Sequence, residues 1–183
     1  SKRFQKQIKE ISDKNETGIH LSFMSHESPG TTAEEIERLK ALTGKEVFRN
    51  RFHYLRFHLP ESYQRLIRNN ITEDYSMGYA PRPGFRAGIC TPFYFFDLKE
   101  DKTTVLKVFP LAFMDTTFTQ YRKTSTDESL IKIKQMMNHV EKAGGLFISL
   151  WHNSSFTEQA EWKGWRNIFE TVLSEAEAII KRQ

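Results

Sequence analysis

Short apolar runs alternate with helical patterns along this chain, and several of the runs end in a titratable side chain. The run at residues 146–150 is followed within two positions by His152, and the run at residues 111–114 is followed directly by Asp115. Alternating strands and helices favour a mainly parallel sheet, open or rolled into a barrel. Polar side chains from the carboxyl ends of parallel strands converge on one edge of such a sheet. The pattern therefore predicts an α/β fold with a functional site at its strand ends.

The length of the chain predicts one domain spanning residues 1–183. With 183 residues, 38% of them hydrophobic, there is enough material for one buried core. The first pattern is helical, because Phe4, Ile8 and Ile11 fall on one helix face before Asn15 and Gly18 interrupt it. This abrupt start predicts a fragment that lacks the first strands of its fold.

Charge and cysteine content exclude few classes of function. The net charge of +4 comes from 27 basic and 23 acidic residues that are scattered along the chain, which gives no support for nucleic-acid binding. The single cysteine, Cys90, excludes an internal disulfide and favours a reducing, cytoplasmic compartment, although exported proteins without disulfides exist. No apolar stretch reaches the length of about 18 residues that predicts a membrane span.

Three histidines are candidate metal ligands. His20 and His53 come from different predicted strands and can supply two ligands of an open divalent site. His26 is favoured less, because six extended residues cover about 20 Å and the chain would have to fold back for His20 and His26 to share an ion. The alternative for each histidine is an ordinary hydrogen-bonded position in the core or on the surface.

A general acid or base is predicted at His152, because imidazole exchanges protons near neutral pH. Asp115, from a neighbouring strand, is the candidate carboxylate that orients it, and its alternative role is a helix cap before Thr116. Arg51 and Arg86 lie among apolar residues, so each is expected to pair with a carboxylate. Asp74 is a candidate partner.

Two further patterns concern the middle of the chain. The aromatic run Phe93–Asp97 and residues 105–109 flank a polar turn, which predicts a small β-hairpin inserted locally into the fold. The chain has neither a P-loop nor a spaced-glycine fingerprint, and it has no nucleophile-elbow motif for serine-based hydrolysis.

Five segments taken together resemble a divergent branch of the polysaccharide deacetylase family, the NodB-homology carbohydrate esterases. The likeness covers about residues 3–175. The segments are Gly18-Ile19-His20-Leu21-Ser22-Phe23, Arg51-Phe52-His53-Tyr54-Leu55-Arg56, Asp74-Tyr75-Ser76-Met77-Gly78-Tyr79, Gly84-Phe85-Arg86-Ala87-Gly88 and Leu150-Trp151-His152-Asn153.

The resemblance implies a partial (β/α) barrel that removes acetyl groups from amino sugars with a divalent metal, zinc or a similar ion, held by one Asp and two His. By order along the chain, His20 matches the first metal histidine and His152 the catalytic acid. The activating aspartate matches Asp74 or Asp115. The implied hydrolase acts on an acetylated amino-sugar glycan.

The resemblance also implies residues that bind substrate. Arg51 or Arg86 matches the arginine motif of the family, and Trp151 and Asn153 flank the histidine of its last motif.

The sequence departs from the family pattern at three places. The family's opening strand, with an Asp-Asp pair that supplies the base and one ligand, has no counterpart, so the N-terminal remainder of the domain is an expected partner. Met24 stands where a second histidine is expected, which leaves His26 or His53 as a substitute, and Asn153 replaces an aspartate. The metal site is therefore incomplete in this chain. The alternative function is a carbohydrate-binding pseudoenzyme without hydrolytic activity.

Overall fold

The chain folds into two compact units, as seen in a computed structural model that describes residues 1–26 and 28–182. The side chains of His26 and Pro29 also lie outside the description. Unit 1 comprises Ser1–Ser76 and Phe93–Phe109, and unit 2 comprises Met77–Pro92 and Pro110–Gln183. The single domain expected over residues 1–183 stays a prediction.

Unit 1 contains a five-stranded sheet in which four strands are parallel. The strand order is β1-β2-β3-β5-β4, and only β4 runs antiparallel, beside β5. The mixed α/β class with a parallel-rich sheet is as predicted. The strands are β1 (Ile19–Leu21), β2 (Arg49–Phe52), β3 (Glu73–Asp74), β4 (Phe93–Asp97) and β5 (Lys102–Val108).

The hairpin formed by β4 and β5 is present, but the prediction that it is a local insertion is wrong. Strand β5 pairs in parallel with β3, with Glu73 opposite Lys107, so it continues the sheet. Hairpin formation is visible in a local pattern, whereas the pairing of β5 with a strand about 30 residues earlier is not.

Three helices alternate with the first three strands of unit 1 along the chain. They are α1 (Lys2–Lys14), α2 (Pro29–Thr43) and α3 (Glu61–Arg68). Ser28 is the N-cap of α2, and Thr32 donates its hydroxyl proton to the Ser25 carbonyl oxygen, 3.1 Å away. Gly44 ends α2 in the left-handed conformation.

The first helix differs from the amphipathic pattern predicted for it. Phe4 and Ile11 are 61% and 56% exposed, while Ser12 is buried. The buried side of α1 therefore does not coincide with its apolar stripe.

The predicted strand that contains His53 ends before that residue. Phe52 closes β2, and a short 3₁₀ turn, His53–Leu55, follows. Tyr54 and Leu55 have positive φ angles of 55° and 52°, a conformation that cannot continue a strand. The turn places His53 directly beyond the carboxyl end of β2.

Unit 2 contains a pair of parallel strands and two long helices. The strands are shorter than predicted, with β6 at Phe113–Met114 and β7 at Ser149–Leu150. The helices are α4 (Thr126–Ala143), which has a capping box of Ser125 and Glu128, and α5 (Trp165–Arg182). Shorter turns occupy Thr117–Arg122, Asn153–Phe156 and Ala160–Trp162.

The core of unit 2 is aromatic and lies between these helices and strands. Trp162 and Trp165 are almost fully buried and belong to this core. Other core members are Phe113, Phe118, Ile133, Met137, Ile168 and Val172.

None of the helices in the described part of the chain is long and apolar enough to cross a membrane.

Candidate functional site

The two short strands of unit 2 deliver Asp115 and His152 to the same edge. Because β6 and β7 are parallel, with Met114 opposite Leu150, the residues that follow them leave the sheet side by side. The Nδ1 atom of His152 lies 2.6 Å from Oδ1 of Asp115. The structure therefore brings together the two residues that the sequence predicts as a pair.

The Asp115 carboxylate is fully buried and accepts four hydrogen bonds. Oδ1 accepts from His152 Nδ1 and from the backbone nitrogen of Thr116, 2.6 Å away. Oδ2 accepts from the backbone nitrogen of His152 at 2.6 Å and from the hydroxyl of Ser155. The capping contact to Thr116 thus exists beside the contact to His152, and buried charge of this kind is tolerated because every oxygen is paired.

The contact to Asp115 fixes which nitrogen of His152 carries a proton. A carboxylate only accepts hydrogen bonds, so Nδ1 is the donor and Nε2 carries the lone pair of the neutral ring. The His152 side chain is 40% exposed, while Asp115 is buried. This arrangement lets His152 take or give a proton at Nε2 while the carboxylate stabilises the imidazolium.

In unit 1, His20 and His53 lie at the carboxyl ends of β1 and β2. Their rings are stacked, with centroids 4.9 Å apart and planes inclined by 25°. The Nδ1 atom of His20 donates to the carbonyl oxygen of Arg51, 2.9 Å away, which orients the ring and leaves the lone pair on Nε2.

The histidine pair does not make a metal site by itself. Among the residues that the structure describes, no three His, Cys, Asp or Glu side chains are grouped so that they could hold a metal ion. The stacked rings of His20 and His53 can supply two ligands at most, which is fewer than a protein metal site normally uses. The side chain of His26 lies outside the described residues.

Asp74 occupies a buried hydrogen-bond network at the end of β3. Its carboxylate accepts from Asn50 Nδ2 at 2.8 Å, from the Tyr63 hydroxyl at 3.0 Å, and from both the backbone nitrogen and the hydroxyl of Ser76. Burial raises the pKa of Asp74, and these four donors oppose the rise. Such surroundings are typical of a carboxylate that supports the fold.

Arg51, on β2, is half-buried and lies within the electrostatic influence of Asp74. Burial lowers the pKa of Arg51, and the carboxylate of Asp74 opposes that effect. Asp74 thus acts on Arg51 through its charge, and the pairing of the two side chains stays a prediction.

The remaining predicted substrate contacts lie in unit 2. Arg86 is exposed in the segment Met77–Pro92, and Asn153 is exposed at the start of the turn after His152. Trp151 packs edge-on against Phe113 and Phe169, and its Nε1 donates to the Ser149 hydroxyl at 2.9 Å. Packing is thus the observed role of Trp151.

Ser155 is the site residue that the sequence did not reveal. It is fully buried and donates its hydroxyl proton to Asp115 Oδ2. Its position three residues after His152, in a segment rich in Ser and Asn, is a weak signal, because such residues are common in ordinary turns.

Comparisons with known proteins give a likeness at the level of solved structures. No family model matches the sequence, and no curated protein matches it. A solved structure from Mycobacterium smegmatis, provisionally named a polysaccharide deacetylase, superposes with a TM-score of 0.65 at 15% sequence identity. The match covers 97% of this chain and 61% of that chain.

This likeness establishes a relationship at the level of the fold. The chain has the α/β fold of that neighbour and spans about three fifths of its length, 61%. At 15% identity the likeness carries no activity across, because one fold hosts many functions.

Proposed function

We propose that this chain is part of a polysaccharide deacetylase-like domain, a partial (β/α) barrel of the NodB-homology type. When complete, the domain hydrolyses N-acetyl groups on amino sugars in a glycan. The observation that carries the proposal is the buried Asp115 carboxylate that holds His152 at the ends of two parallel strands. The fold of the neighbour from Mycobacterium smegmatis supports it.

His152 has the role of general acid in this proposal. A base takes one proton from water as the water oxygen adds to the acetamide carbonyl, the C–N bond breaks, and protonated His152 gives its Nε2 proton to the departing amine. Asp115 stabilises the imidazolium before that transfer, because its carboxylate stays in contact with Nδ1. The exposed side chains of Arg86 and Asn153 are the proposed substrate contacts.

In this proposal, a metal ion binds to the complete domain and not to residues 1–183 alone. A divalent ion, zinc or similar, would polarise the acetamide carbonyl. His20 and His53 are the candidate ligands that this chain contributes, and they do not suffice among the described residues. We propose that a part of the complete domain outside residues 1–183 supplies the other ligands and the base.

The same absence of a three-ligand group in the described residues favours a second candidate, a carbohydrate-binding pseudoenzyme. In that case the chain holds a glycan without cleaving it. Binding would then be indifferent to a chelator.

Acetate release from N-acetylglucosamine oligomers tests the proposal. We expect activity from a version extended at its N-terminus and little or none from residues 1–183 alone. His152→Ala in the extended version should remove the activity, whereas His139→Ala, at an exposed histidine of α4, should leave it unchanged.

Two outcomes would contradict the proposal that the complete domain is a deacetylase with its active site at His152. Equal inactivity of both lengths would exclude it, and full activity of the His152→Ala variant would exclude this site. Chelator-insensitive glycan binding without acetate release would support the pseudoenzyme.

A further inference from the structure

Four aromatic rings form a continuous cluster at the carboxyl ends of β1 and β2 in unit 1. The His20 and His53 rings stack, and the Tyr54 ring follows with its centroid 4.6 Å from that of His53. Phe23 meets Tyr54 edge-on at 5.9 Å. The cluster thus extends from the histidine pair to Phe23.

The outer half of this cluster is exposed. Tyr54 is 61% exposed and Phe23 is 43% exposed, and the neighbouring Met24 is 55% exposed. The guanidinium carbon of Arg56 lies 4.7 Å from the centroid of the Phe23 ring, so a cation borders the apolar surface. Rings that pack for stability are normally covered to a greater degree.

The backbone that presents Tyr54 is strained. A bulky residue with φ of 55° is a conformational outlier that costs free energy, and Leu55 beside it has φ of 52°. The Leu55 side chain is buried, 5% exposed, so its packing anchors the turn, whereas the Tyr54 ring gains little burial. Strained residues that the core does not require are concentrated at ligand sites.

We propose that Tyr54 and Phe23 form a stacking subsite for the pyranose rings of a glycan. This inference rests on the proposed function and names the surface that holds the polymer beside the histidine pair. A pyranose presents an apolar face of C–H groups with hydroxyls around its rim. Aromatic rings complement that face, and the guanidinium of Arg56 provides donors for the rim oxygens.

Stacking also suits nucleic-acid bases, but the charge near the subsite favours sugars. A single-strand binding surface combines aromatic rings with a basic groove along the backbone. Arg56 is the cation that the structure places against these rings, and basic residues are scattered along the chain rather than clustered. A neutral or weakly charged polymer fits this surface better.

Calorimetric titration of residues 1–183 with a hexamer of N-acetylglucosamine tests the subsite without requiring hydrolysis. Tyr54→Ala should weaken binding by about tenfold or more, as for truncation of a central aromatic contact. Tyr54→Phe keeps the ring and should stay within about twofold of the parent. Tyr94→Ala is the matched control, because Tyr94 lies on β4 with a similar exposure of 54%.

Tyr54→Gly separates binding from folding. Glycine adopts positive φ without strain, so this variant should keep or raise the thermal midpoint while it loses affinity as Tyr54→Ala does. A purely structural role for the ring predicts a lowered midpoint instead.

The outcomes distinguish the subsite from the wider proposal. Hexamer binding that is insensitive to Tyr54→Ala overturns the subsite and leaves the deacetylase proposal standing. Tyr54-dependent binding with no acetate release from the extended domain supports the subsite and excludes the deacetylase. Absence of hexamer binding, or salt-dependent binding of single-stranded RNA in its place, overturns the subsite.

Discussion

Asp115 accepts two hydrogen bonds from His152, one from the ring and one from the backbone, each at 2.6 Å and each on a different carboxylate oxygen. This double contact fixes both the position and the rotation of the imidazole. A residue held in this way needs little reorganisation before a proton transfer.

Replacing Asp115 by Asn should change the tautomer of His152. The NH₂ group of the new amide would face one of the groups that donate to the carboxylate in the parent protein. The His152 ring would therefore lose its preference for a proton on Nδ1. Nitrogen-15 NMR of the imidazole should show the Nδ1–H form in the parent and a shift toward the Nε2–H form in the variant.

Asp97→Asn is the control for that experiment. Asp97 is also buried, but it accepts from Gln64 on α3 and has no histidine partner among its described contacts. The His152 signals should not change in this variant. An unchanged tautomer in Asp115→Asn would refute the assigned proton position.

Ser155→Ala should destabilise the protein by about 1.5–3 kcal/mol, because it leaves a buried carboxylate oxygen with one donor fewer. Ser154→Ala, one residue earlier, removes a hydroxyl that is only partly buried and should cost no more than about 0.5 kcal/mol. Urea unfolding of the two variants checks the difference. Equal costs would show that the contact to Asp115 contributes little.

The raised pKa of Asp74 predicts a pH dependence of stability. A carboxyl group whose pKa is higher in the folded state binds its proton more tightly there, so stability is lost as pH rises from its ordinary value of 3.8 through the raised value. The free energy of unfolding should therefore fall with rising pH in the parent relative to Asp74→Asn, by at most about 1.4 kcal/mol per pH unit.

Urea titrations of the parent and Asp74→Asn at several pH values above 3.8 measure that difference. Because the variant keeps the other titrating groups, subtracting its curve from that of the parent removes their contribution. A difference that does not change with pH would mean that the four donors offset burial completely.

Gly18→Ala should destabilise unit 1 by about 1–3 kcal/mol. A Cβ atom at Gly18 would lie 2.8 Å from both Cβ and the carbonyl oxygen of Arg49, so β1 and β2 would have to shift. Gly30→Ala, in the first turn of α2, meets nothing within 4 Å and should stabilise by about 0.5–1 kcal/mol. Thermal unfolding of both variants provides the measurement, and a stabilising Gly18→Ala would contradict the close approach.

The long elements and the strand-end pair could be predicted from the sequence, because each depends on local pattern. Helix α4 follows its apolar spacing and ends at Gly144, and Asp115 and His152 each follow a short apolar run. Parallel pairing of the two runs then brings these side chains together. Their catalytic roles stay predictions.

Other features depend on distant partners and could not be predicted. Strands of two residues, such as β3, are too short to show alternation. The position of β5 between β3 and β4 depends on its pairing with β3, and the contact of Ser155 with Asp115 depends on how one turn folds back. The early end of β2 follows from positive φ angles at Tyr54 and Leu55, which nothing in their residue types favours.

The division of the chain has a consequence for synthesis on the ribosome. Unit 1 is formed from Ser1–Ser76 and Phe93–Phe109, so its strand β3 emerges well before β5, the neighbour that it pairs with. In unit 2, the segment Met77–Pro92 likewise emerges before Pro110–Gln183, the rest of the unit that it belongs to. Unit 1 is complete only when residue 109 has emerged, and a ribosome that stalled before that point would expose the unpaired edge of β3 to aggregation.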